Sequence, residues 1–365
     1  MSDPIIIVGA GVSGLRAASL LHEQGIECIV LEARNRIGGR VLTKGIVDRP
    51  ELGHFDLGPT WFWPQAEPVI KSLINELNLE TFEQHTDGAV LFEQSTSGPV
   101  ERHQLPEGAF QKSNRIIGGI GSLVNALAKK LPATSIRLST RVTEITKEEN
   151  GKLIVVVQCA DGSLESLYTE TVILAMPPRL IAQDISFTPD LSGTLRASLE
   201  SQSTWMAGHA KALAIYEEPF WRNEGLSGQA ISRVGPLQEI HDASPKSGAG
   251  ALFGFLGMSA ELRHELGEKR ILELVVDQLV TVYGPKAAKP VSLLYKDWSS
   301  DLETAVAADC IPLGNFSDYK PMESANDWSQ SILFASTETS SYQGGHLEGA
   351  LRSAERVVTE IVNKR

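Results

Sequence analysis

The chain has 365 residues, the length of about two domains at roughly 150 residues each, and its 42% hydrophobic and 21% charged residues are typical of a globular protein. The net charge of −12 disfavours nucleic acid or an anionic membrane surface as a partner, because both bind clusters of Lys and Arg. Three widely spaced cysteines, Cys28, Cys159 and Cys310, indicate neither a zinc site nor a disulfide framework. With no signal peptide and no apolar run of about 18 residues, we expect a cytoplasmic protein outside any membrane.

The stretch "PIIIVGAGVSGLRAASLLHEQGIECIVLEA" near the start predicts a nucleotide-binding βαβ unit. Apolar runs at 5–8 and 28–31 are typical of buried parallel strands, and helically spaced apolar residues lie between them. Gly9, Gly11 and Gly14 form a G-x-G-x-x-G pattern at the start of that helix. These glycines permit a tight turn, close approach of the backbone to a pyrophosphate, and close helix–strand packing, with the helix N-terminus facing the phosphates.

The second strand ends in Glu32, an acidic residue placed to accept hydrogen bonds from a ribose hydroxyl. Up to this point either NAD or FAD satisfies the pattern. The sequence "EARNRIGGRV" then adds Gly38, Gly39 and Arg40 directly after the acidic residue.

Later segments predict further strands and helices. "TVILAMPPR" is predicted as a buried strand that Pro177 and Pro178 end, because proline is disfavoured inside helices. We also predict a strand over 210–216, an amphipathic stretch over about 268–283, a strand over 331–335 and an amphipathic helix over 347–361.

Together these segments resemble the flavin monoamine oxidase family, and more broadly the FAD-dependent amine oxidases, from residue 5 to about 361. The resemblance is carried, in the family's order, by the segments "GAGVSG", "EARNRIGGRV", "FDLGPTWFWP", "IIGGIGSLVNALAKKL", "IRLSTRVTEI", "KALAIYEEPFW", "YKDWSS" and "STETSSYQGGHLEGA". One departure is Pro59, which stands where the family has the second glycine of its D-x-G-G segment.

The resemblance implies an α/β fold with two domains. A discontinuous Rossmann-like FAD-binding domain is expected at 1–74, 114–185 and 320–365, and a mixed α+β substrate domain at 75–113 and 186–319. The pocket is expected between them. The residues implied to bind FAD are Gly9, Gly11, Ser13, Gly14, Glu32, Ala33, Arg34, Gly39, Arg40, Gly58, Pro59, Thr60, Val142, Trp298, Glu338, Gly345, His346 and Leu347.

Lys211 shares a strand face with Leu213 and Ile215, which is an unusual position for a lysine. Periodicity alone favours a side chain whose stem packs on apolar surface while its amine reaches water. The resemblance favours another role, because the family's lysine at this position bridges through a water to flavin N5. It likewise places Trp298 beside the flavin, although a plain core position is the alternative.

Monoamine oxidases proper hold the amine between two aromatic rings, and this chain has Ala308 and His346 where the rings are expected. We therefore predict a wider pocket lined by Trp61, Ala308 and His346. The hypothesis is that His346 orients a polar substrate group over the flavin, with capping of the last helix as the alternative. Because Ala307 stands where some relatives carry a flavin-linked cysteine, we predict non-covalent FAD.

The function implied by the resemblance is FAD-dependent oxidation of an amine, with catalytic residues Lys211, Trp298 and His346. Hydride passes to flavin N5, the imine hydrolyses to a carbonyl product, and oxygen reoxidises the flavin and yields hydrogen peroxide. The alternatives are a flavin dehydrogenase or desaturase using another acceptor, and an FAD-binding protein with little turnover. No metal is expected, and neither the particular amine nor the oligomeric state follows from the sequence.

Overall fold

A computed structural model describes residues 3–106, 108–246, 248–311, 318–322, 328–329 and 331–364. The strands, in chain order, are β1 (Ile5–Val8), β2 (Cys28–Leu31), β3 (Thr43–Gly45), β4 (His54–Asp56), β5 (Thr81–Glu83), β6 (Ala89–Glu93), β7 (Glu101–His103), β8 (Asn114–Ile116), β9 (Ile136–Arg137), β10 (Arg141–Lys147), β11 (Leu153–Gln158), β12 (Leu164–Thr169), β13 (Val172–Leu174), β14 (Ser186–Thr188), β15 (Ala210–Tyr216), β16 (Leu226–Ser232), β17 (Leu237–Asp242), β18 (Gly250–Leu256), β19 (Ser292–Asp297) and β20 (Ile332–Phe334).

The α-helices are α1 (Val12–Glu23), α2 (Pro68–Glu76), α3 (Gly121–Lys129), α4 (Pro178–Asp184), α5 (Gly193–Ser201), α6 (Phe220–Asn223), α7 (Ala260–Tyr283) and α8 (Leu347–Lys364). Gly267 leaves helical geometry inside α7, with φ 71° and ψ 160°, which is why the continuous amphipathic pattern begins only at residue 268. Pro178 is the first residue of α4, a position where the missing N–H of proline has no helical partner to lose.

A five-stranded parallel sheet, in the order β20-β13-β1-β2-β9, carries the first βαβ unit. Successive side chains of each strand point to opposite faces of the sheet, so they belong to two different hydrophobic cores. Ile5 and Ile7 pack with α1, α3 and α8 on one face. Ile6 and Val8 pack on the other face against the four-stranded sheet β12-β11-β10-β14. The predicted α/β class is confirmed in this sheet, which is buried on both faces.

A second, seven-stranded mixed sheet has the order β19-β15-β18-β17-β16-β6-β7. The face of Ala212 and Ala214 packs on α7. The opposite face, with Leu213 and Ile215, packs on Phe55 of β4 and on the apolar residues that flank this strand. Lys211 therefore points toward the first part of the chain, on the face predicted from its spacing.

The predicted division into domains stays a prediction. Parts of it, including residues 312–317 and 323–327, lie outside the described residues. Among the helices of the described ranges, none is both long and apolar enough to cross a membrane.

Candidate active site

A cavity of about 450 Å³ lies between the parallel sheet and the seven-stranded sheet. We call the part around Gly9, Gly11 and Glu32 the cofactor end, and the part around Lys211 and Trp298 the lysine end. The predicted site residues that line the cavity are Gly9, Gly11, Ser13, Glu32, Ala33, Arg34, Gly39, Arg40, Gly58, Pro59, Thr60, Trp61, Val142, Lys211, Trp298, Gly345, His346 and Leu347.

The turn between β1 and α1 forms part of the cofactor end, and each of its glycines is required for a different reason. Gly9 has φ 107°, a conformation that favours glycine. A Cβ on Gly14 would lie 1.9 Å from the Gly9 carbonyl oxygen, so Gly14 is required by helix–strand packing and does not itself line the cavity. A Cβ on Gly11 would meet no atom within 4 Å, because this residue borders the open cavity.

Glu32 is held at the cofactor end by two backbone donors. Its Oε2 accepts a hydrogen bond from the Ala10 amide at 2.8 Å and its Oε1 accepts one from the Arg34 amide at 2.9 Å. Each carboxylate oxygen has a second lone pair, so the side chain keeps acceptor capacity toward the cavity. This is the chemistry that ribose hydroxyls require.

Arg40 lines the cavity and is fixed from behind by Glu338. The guanidinium donates to both carboxylate oxygens, at 2.6 and 3.1 Å, in a bidentate pair. Glu338 is fully buried and is not among the lining residues. The structure therefore brings Arg40, but not Glu338, to the cavity wall, and the predicted role of Glu338 becomes that of holding Arg40.

Lys211 is 2% exposed at the lysine end. Its ammonium donates to Thr60 Oγ1 at 2.6 Å and to the Gly58 carbonyl at 3.1 Å, and it lies 3.8 Å from the centre of the Phe253 ring. Burial lowers the pKa of Lys211 to about 7, although the Asp56 carboxylate opposes this shift. Lys211 is therefore a buried, hydrogen-bonded amine at the cavity wall and does not extend to the outer surface of the protein.

Two tryptophans complete the lysine end. Trp298 donates its indole N–H to the Leu57 carbonyl at 3.1 Å, which ties β19 to the segment after β4. Trp61 donates to Gln84 Oε1 at 2.9 Å, and its ring centre lies 5.2 Å from that of Phe253. A hydrogen bond from the indole N–H thus fixes the orientation of each ring.

His346 lines the cavity just before α8. Its Nδ1 lies 3.1 Å from Glu67 Oε1, and its ring centre lies 5.8 Å from that of Trp63. Its carbonyl accepts hydrogen bonds from Thr337 Oγ1 and from the Ala350 amide, so the backbone as well as the ring is fixed.

Ala308 is not brought into the cavity, and this corrects the predicted pocket. It lies in a short 3-10 helix, Ala307–Asp309, and is exposed. The buried member of that helix is Asp309, whose carboxylate binds Arg179 and accepts hydrogen bonds from the Thr204 and Val306 amides. Because Asp309 points inward, its neighbours in this single turn point outward.

Several lining residues were not predicted from the sequence, among them Glu67, Trp205, Met206, His209 and Phe255. Trp205 packs where a Cβ on Gly345 would lie, 2.8 Å from its Cγ. Met206 has φ 61°, which is uncommon for a residue other than glycine. The register of β18 with β15 pairs Phe255 with Lys211, and this pairing of distant strands is visible only in the fold.

The residues of the cofactor end fit FAD. No side chain caps the start of α1, and Gly11 leaves open space beside it, so an anionic pyrophosphate suits this helix end. Glu32 and Arg40 supply an acceptor and a cation further along the wall. Among the described residues, no group of three or more His, Cys, Asp or Glu side chains is arranged to hold a metal ion.

The chain belongs to the family described as "Flavin containing amine oxidoreductase", whose model matches residues 12–113 and 88–362. It is therefore an FAD-dependent amine oxidase, and the family predicted from the sequence is confirmed.

Individual relatives are distant but cover the whole chain. It is 25% identical to the probable flavin-containing monoamine oxidase A of Dictyostelium discoideum, over 99% of this chain and 97% of that protein. The structure of wild-type putrescine oxidase bound to putrescine superposes with a TM-score of 0.81 at 23% identity, covering 100% of this chain and 99% of that one. Cyclohexylamine oxidase from Brevibacterium oxydans gives a TM-score of 0.80 at 20% identity, covering 100% of this chain. The predicted two-domain amine oxidase architecture is confirmed by these neighbours.

Proposed function

We propose that this enzyme oxidises a small amine at the lysine end of the cavity, with FAD held non-covalently and oxygen as the final acceptor. The products are an imine, which hydrolyses to a carbonyl compound, and hydrogen peroxide. The observation that carries the proposal is that buried Lys211 and the glycine turn before α1 line one cavity. FAD, when bound, supplies the acceptor for the two electrons and the hydrogen removed from the carbon beside the amine nitrogen.

Lys211 is proposed to hold or release a proton beside the flavin ring. Thr60 Oγ1 and the Gly58 carbonyl fix its amine, and burial brings its pKa to about 7, so both protonation states are accessible near neutral pH. Trp298 is proposed as a wall of the flavin site, because its indole N–H is already bound to the Leu57 carbonyl and its ring remains for packing.

The substrate is proposed to be a small amine without a tight aromatic cage. Trp61, Trp63 and Phe255 supply apolar surface at the lysine end, and desolvation there favours the neutral, reactive form of the amine. The similar structures named above are of oxidases for putrescine and cyclohexylamine, both small amines.

Non-covalent attachment is supported by the three cysteines, none of which is among the lining residues. Burial raises the pKa of the Cys28 thiol, which lies beneath α1, to about 11. Cys159 contacts Arg137 and Glu165, and Cys310 follows the exposed turn of Ala308. Acid precipitation should therefore release the yellow colour into the supernatant. Colour that stays with the pellet would contradict this part of the proposal.

The test of the amine oxidase reaction is to mix the purified holoenzyme anaerobically with a panel of amines and follow flavin absorbance. We expect bleaching by at least one amine, and return of the colour when air is admitted. Bleaching that air does not reverse would favour a dehydrogenase with another acceptor. No bleaching by any amine would favour a desaturase or an FAD-binding protein with little turnover.

A further inference from the structure

The short segment after Trp298 borders the cavity next to the cofactor end. Glu303 and Thr304 are among the lining residues, and Thr304 is 1% exposed. Leu302, directly before them, is 79% exposed. The segment therefore has the cavity on one side and solvent on the other. We call residues 301–304 the strap.

The strap is a single turn of chain that starts from Trp298. The Asp301 amide donates to the Trp298 carbonyl at 3.2 Å, and the Thr304 and Ala305 amides each donate to the Asp301 carbonyl at 2.9 Å. These three hydrogen bonds give the strap a defined shape, but none of them ties it to β1 or β2. That attachment is made by side chains.

Arg34, two residues after the ribose acceptor Glu32, holds the first half of the strap. Its guanidinium donates to the Asp301 carboxylate and, at 2.9 Å, to Thr304 Oγ1. Lys296 donates to the other carboxylate oxygen of Asp301 at 2.6 Å. Burial disfavours the charged form of Asp301, but Arg34 and Lys296 outweigh it and lower the pKa of this carboxyl. Asp301 is therefore an anion held between two cations.

Arg141 holds the second half of the strap from another strand. It is the first residue of β10 and precedes Val142, which lines the cavity. Its guanidinium donates to the Glu303 carboxylate, and another of its nitrogens lies 3.8 Å from the Asp184 carboxylate. Arg34 and Arg141 both line the cavity, so the two ion pairs join the strap to residues that face the cofactor.

Both ion pairs are partly accessible to solvent. The exposed fractions of the side chains are 13% and 11% for Arg34 and Asp301, and 35% and 21% for Arg141 and Glu303. Ion pairs of this kind each contribute little, and salt screens them. Because both pairs hold the same turn, both must break before the strap can move, so their contributions combine.

We propose that the strap retains FAD in the enzyme by closing over the adenosine half of the cofactor, held by the Arg34–Asp301 and Arg141–Glu303 ion pairs. The adenosine half is expected at this end because Glu32 supplies the acceptor that its ribose requires. The strap thus controls how fast FAD leaves, which is separate from the choice of amine. The proposal rests on the non-covalent attachment of FAD proposed above.

The first test follows the exchange of bound FAD for excess isotopically labelled FAD in the holoenzyme, with samples separated by rapid gel filtration. Asp301→Asn and Glu303→Gln remove charge and keep side-chain size. We expect each to speed exchange by about 5-fold, and the double variant by about 20-fold or more. Sodium chloride at about 0.5 M should speed exchange in the wild type by about 5-fold and have much less effect on the double variant.

Glu76→Gln is the matched control. Glu76 also bridges two cations, Arg16 and Lys130, but none of these three residues lines the cavity. Its substitution should leave the exchange rate at the wild-type value. If the double strap variant exchanged FAD at the wild-type rate, or if Glu76→Gln sped exchange equally, the strap would have no role in retention and the proposal would be overturned.

The second test determines which half of the cofactor the strap covers. ADP and FMN correspond to the two halves of FAD, so the dissociation of each from the apoprotein is measured separately. We expect the double variant to release ADP faster than the wild type does, and to release FMN at an unchanged rate. Equal acceleration for both halves would show that the substitutions loosen the whole site, and the strap over the adenosine half would be overturned.

Other failures give different results. If the double variant does not fold, Glu303→Gln and the salt dependence of the wild type still decide, because each weakens an ion pair of the strap in an otherwise intact chain. Flavin that stays with acid-precipitated protein would contradict non-covalent attachment, and ADP release from apoprotein of riboflavin-starved cells would then decide on the strap. Failure of amine oxidation would leave FAD exchange unaffected, since exchange needs no amine.

Discussion

The cofactor end of the cavity is built mainly from one stretch of the first forty residues, with the backbone of a glycine turn and the side chains of Glu32 and Arg40, whereas the lysine end is built from side chains of distant segments. At the cofactor end, Gly9, Gly11 and Glu32 follow one another within a single βαβ unit. At the lysine end, Trp61, Lys211 and the His346–Glu67 pair converge from three parts of the chain.

The two ends should differ in the kinds of substitution that they tolerate. At the cofactor end the backbone leaves no room for a side chain at Gly14, and Gly11 borders the space left for the cofactor, so this end should respond to the volume of a substitution. Side-chain contacts depend on charge and hydrogen bonding, so the lysine end should respond to chemistry and to pH. Substitutions matched within each end separate these two kinds of response.

Gly14→Ala should have the largest effect. Its Cβ would lie 1.9 Å from the Gly9 carbonyl oxygen and 3.1 Å from the Gly9 carbonyl carbon, both of them backbone atoms that cannot rotate away. We expect a loss of at least about 3 kcal/mol in the free energy of unfolding, or no folded protein. Urea unfolding of the apoprotein measures it, with Gly11→Ala as the matched control. Equal stability of the two variants would contradict the packing role of Gly14.

The cofactor end was predictable because its determinants are local in sequence. A strand, three glycines, a helix, a second strand and Glu32 each have their own pattern, and their order fixes their geometry. Glu338 marks the limit of this approach. The resemblance to the family implied a place for it at the cofactor, but no local pattern reveals that its carboxylate faces Arg40 from behind the wall.

Gly11→Ala should act on the cofactor alone. In the chain itself the added Cβ meets nothing within 4 Å, and the φ of −74° suits alanine. We expect the apoprotein to unfold at nearly the wild-type urea concentration, with FAD affinity lower by about 10-fold or more, because the methyl group would occupy space left for the pyrophosphate. Fluorescence titration of apoprotein with FAD measures this affinity. Unchanged FAD affinity would mean that the pyrophosphate does not approach Gly11.

The lysine end was predictable only in part. Period-two spacing correctly put Lys211 on the face of Leu213 and Ile215, and the structure adds Thr60 as its hydrogen-bond partner. Glu67 gave no signal, because its pairing with His346 depends on how α2 meets α8. Counting residues from Trp298 to Ala308 did not find the pocket, because the inward turn of Asp309 sets the direction of its neighbours.

Lys211→Met should lower the rate of flavin reoxidation by oxygen and should also abolish the pH dependence of that rate. Since burial lowers the pKa of Lys211 to about 7, its ammonium predominates below this pH and its neutral amine above it. If the cation promotes the reaction with oxygen, wild-type reoxidation should slow by about 10-fold for each pH unit above this pKa. In Lys211→Met, reoxidation should be about 100-fold slower than in the wild type at low pH, and its rate should not change with pH.

Stopped-flow mixing of reduced enzyme with oxygen across this pH range gives the measurement. Lys44→Met is the matched control, since Lys44 is exposed on β3, and it should follow the wild-type profile. A Lys211→Met enzyme that keeps both the rate and the pH dependence would remove Lys211 from the reaction.

Ala308→Tyr should have the smallest effect, although it restores an aromatic residue where the family comparison expects one. Ala308 is exposed and outside the cavity lining, so the new ring should extend into solvent and leave KM for an amine substrate within about two-fold. Trp61→Leu is the contrasting variant, because it removes an indole that lines the cavity and donates to Gln84. Steady-state kinetics with the same amine should show a clearly raised KM for Trp61→Leu only. If Ala308→Tyr changed KM as much as Trp61→Leu, the turn at Ala307–Asp309 would have to fold inward when substrate binds. Ala308 would then line the lysine end, as the count of residues from Trp298 predicted.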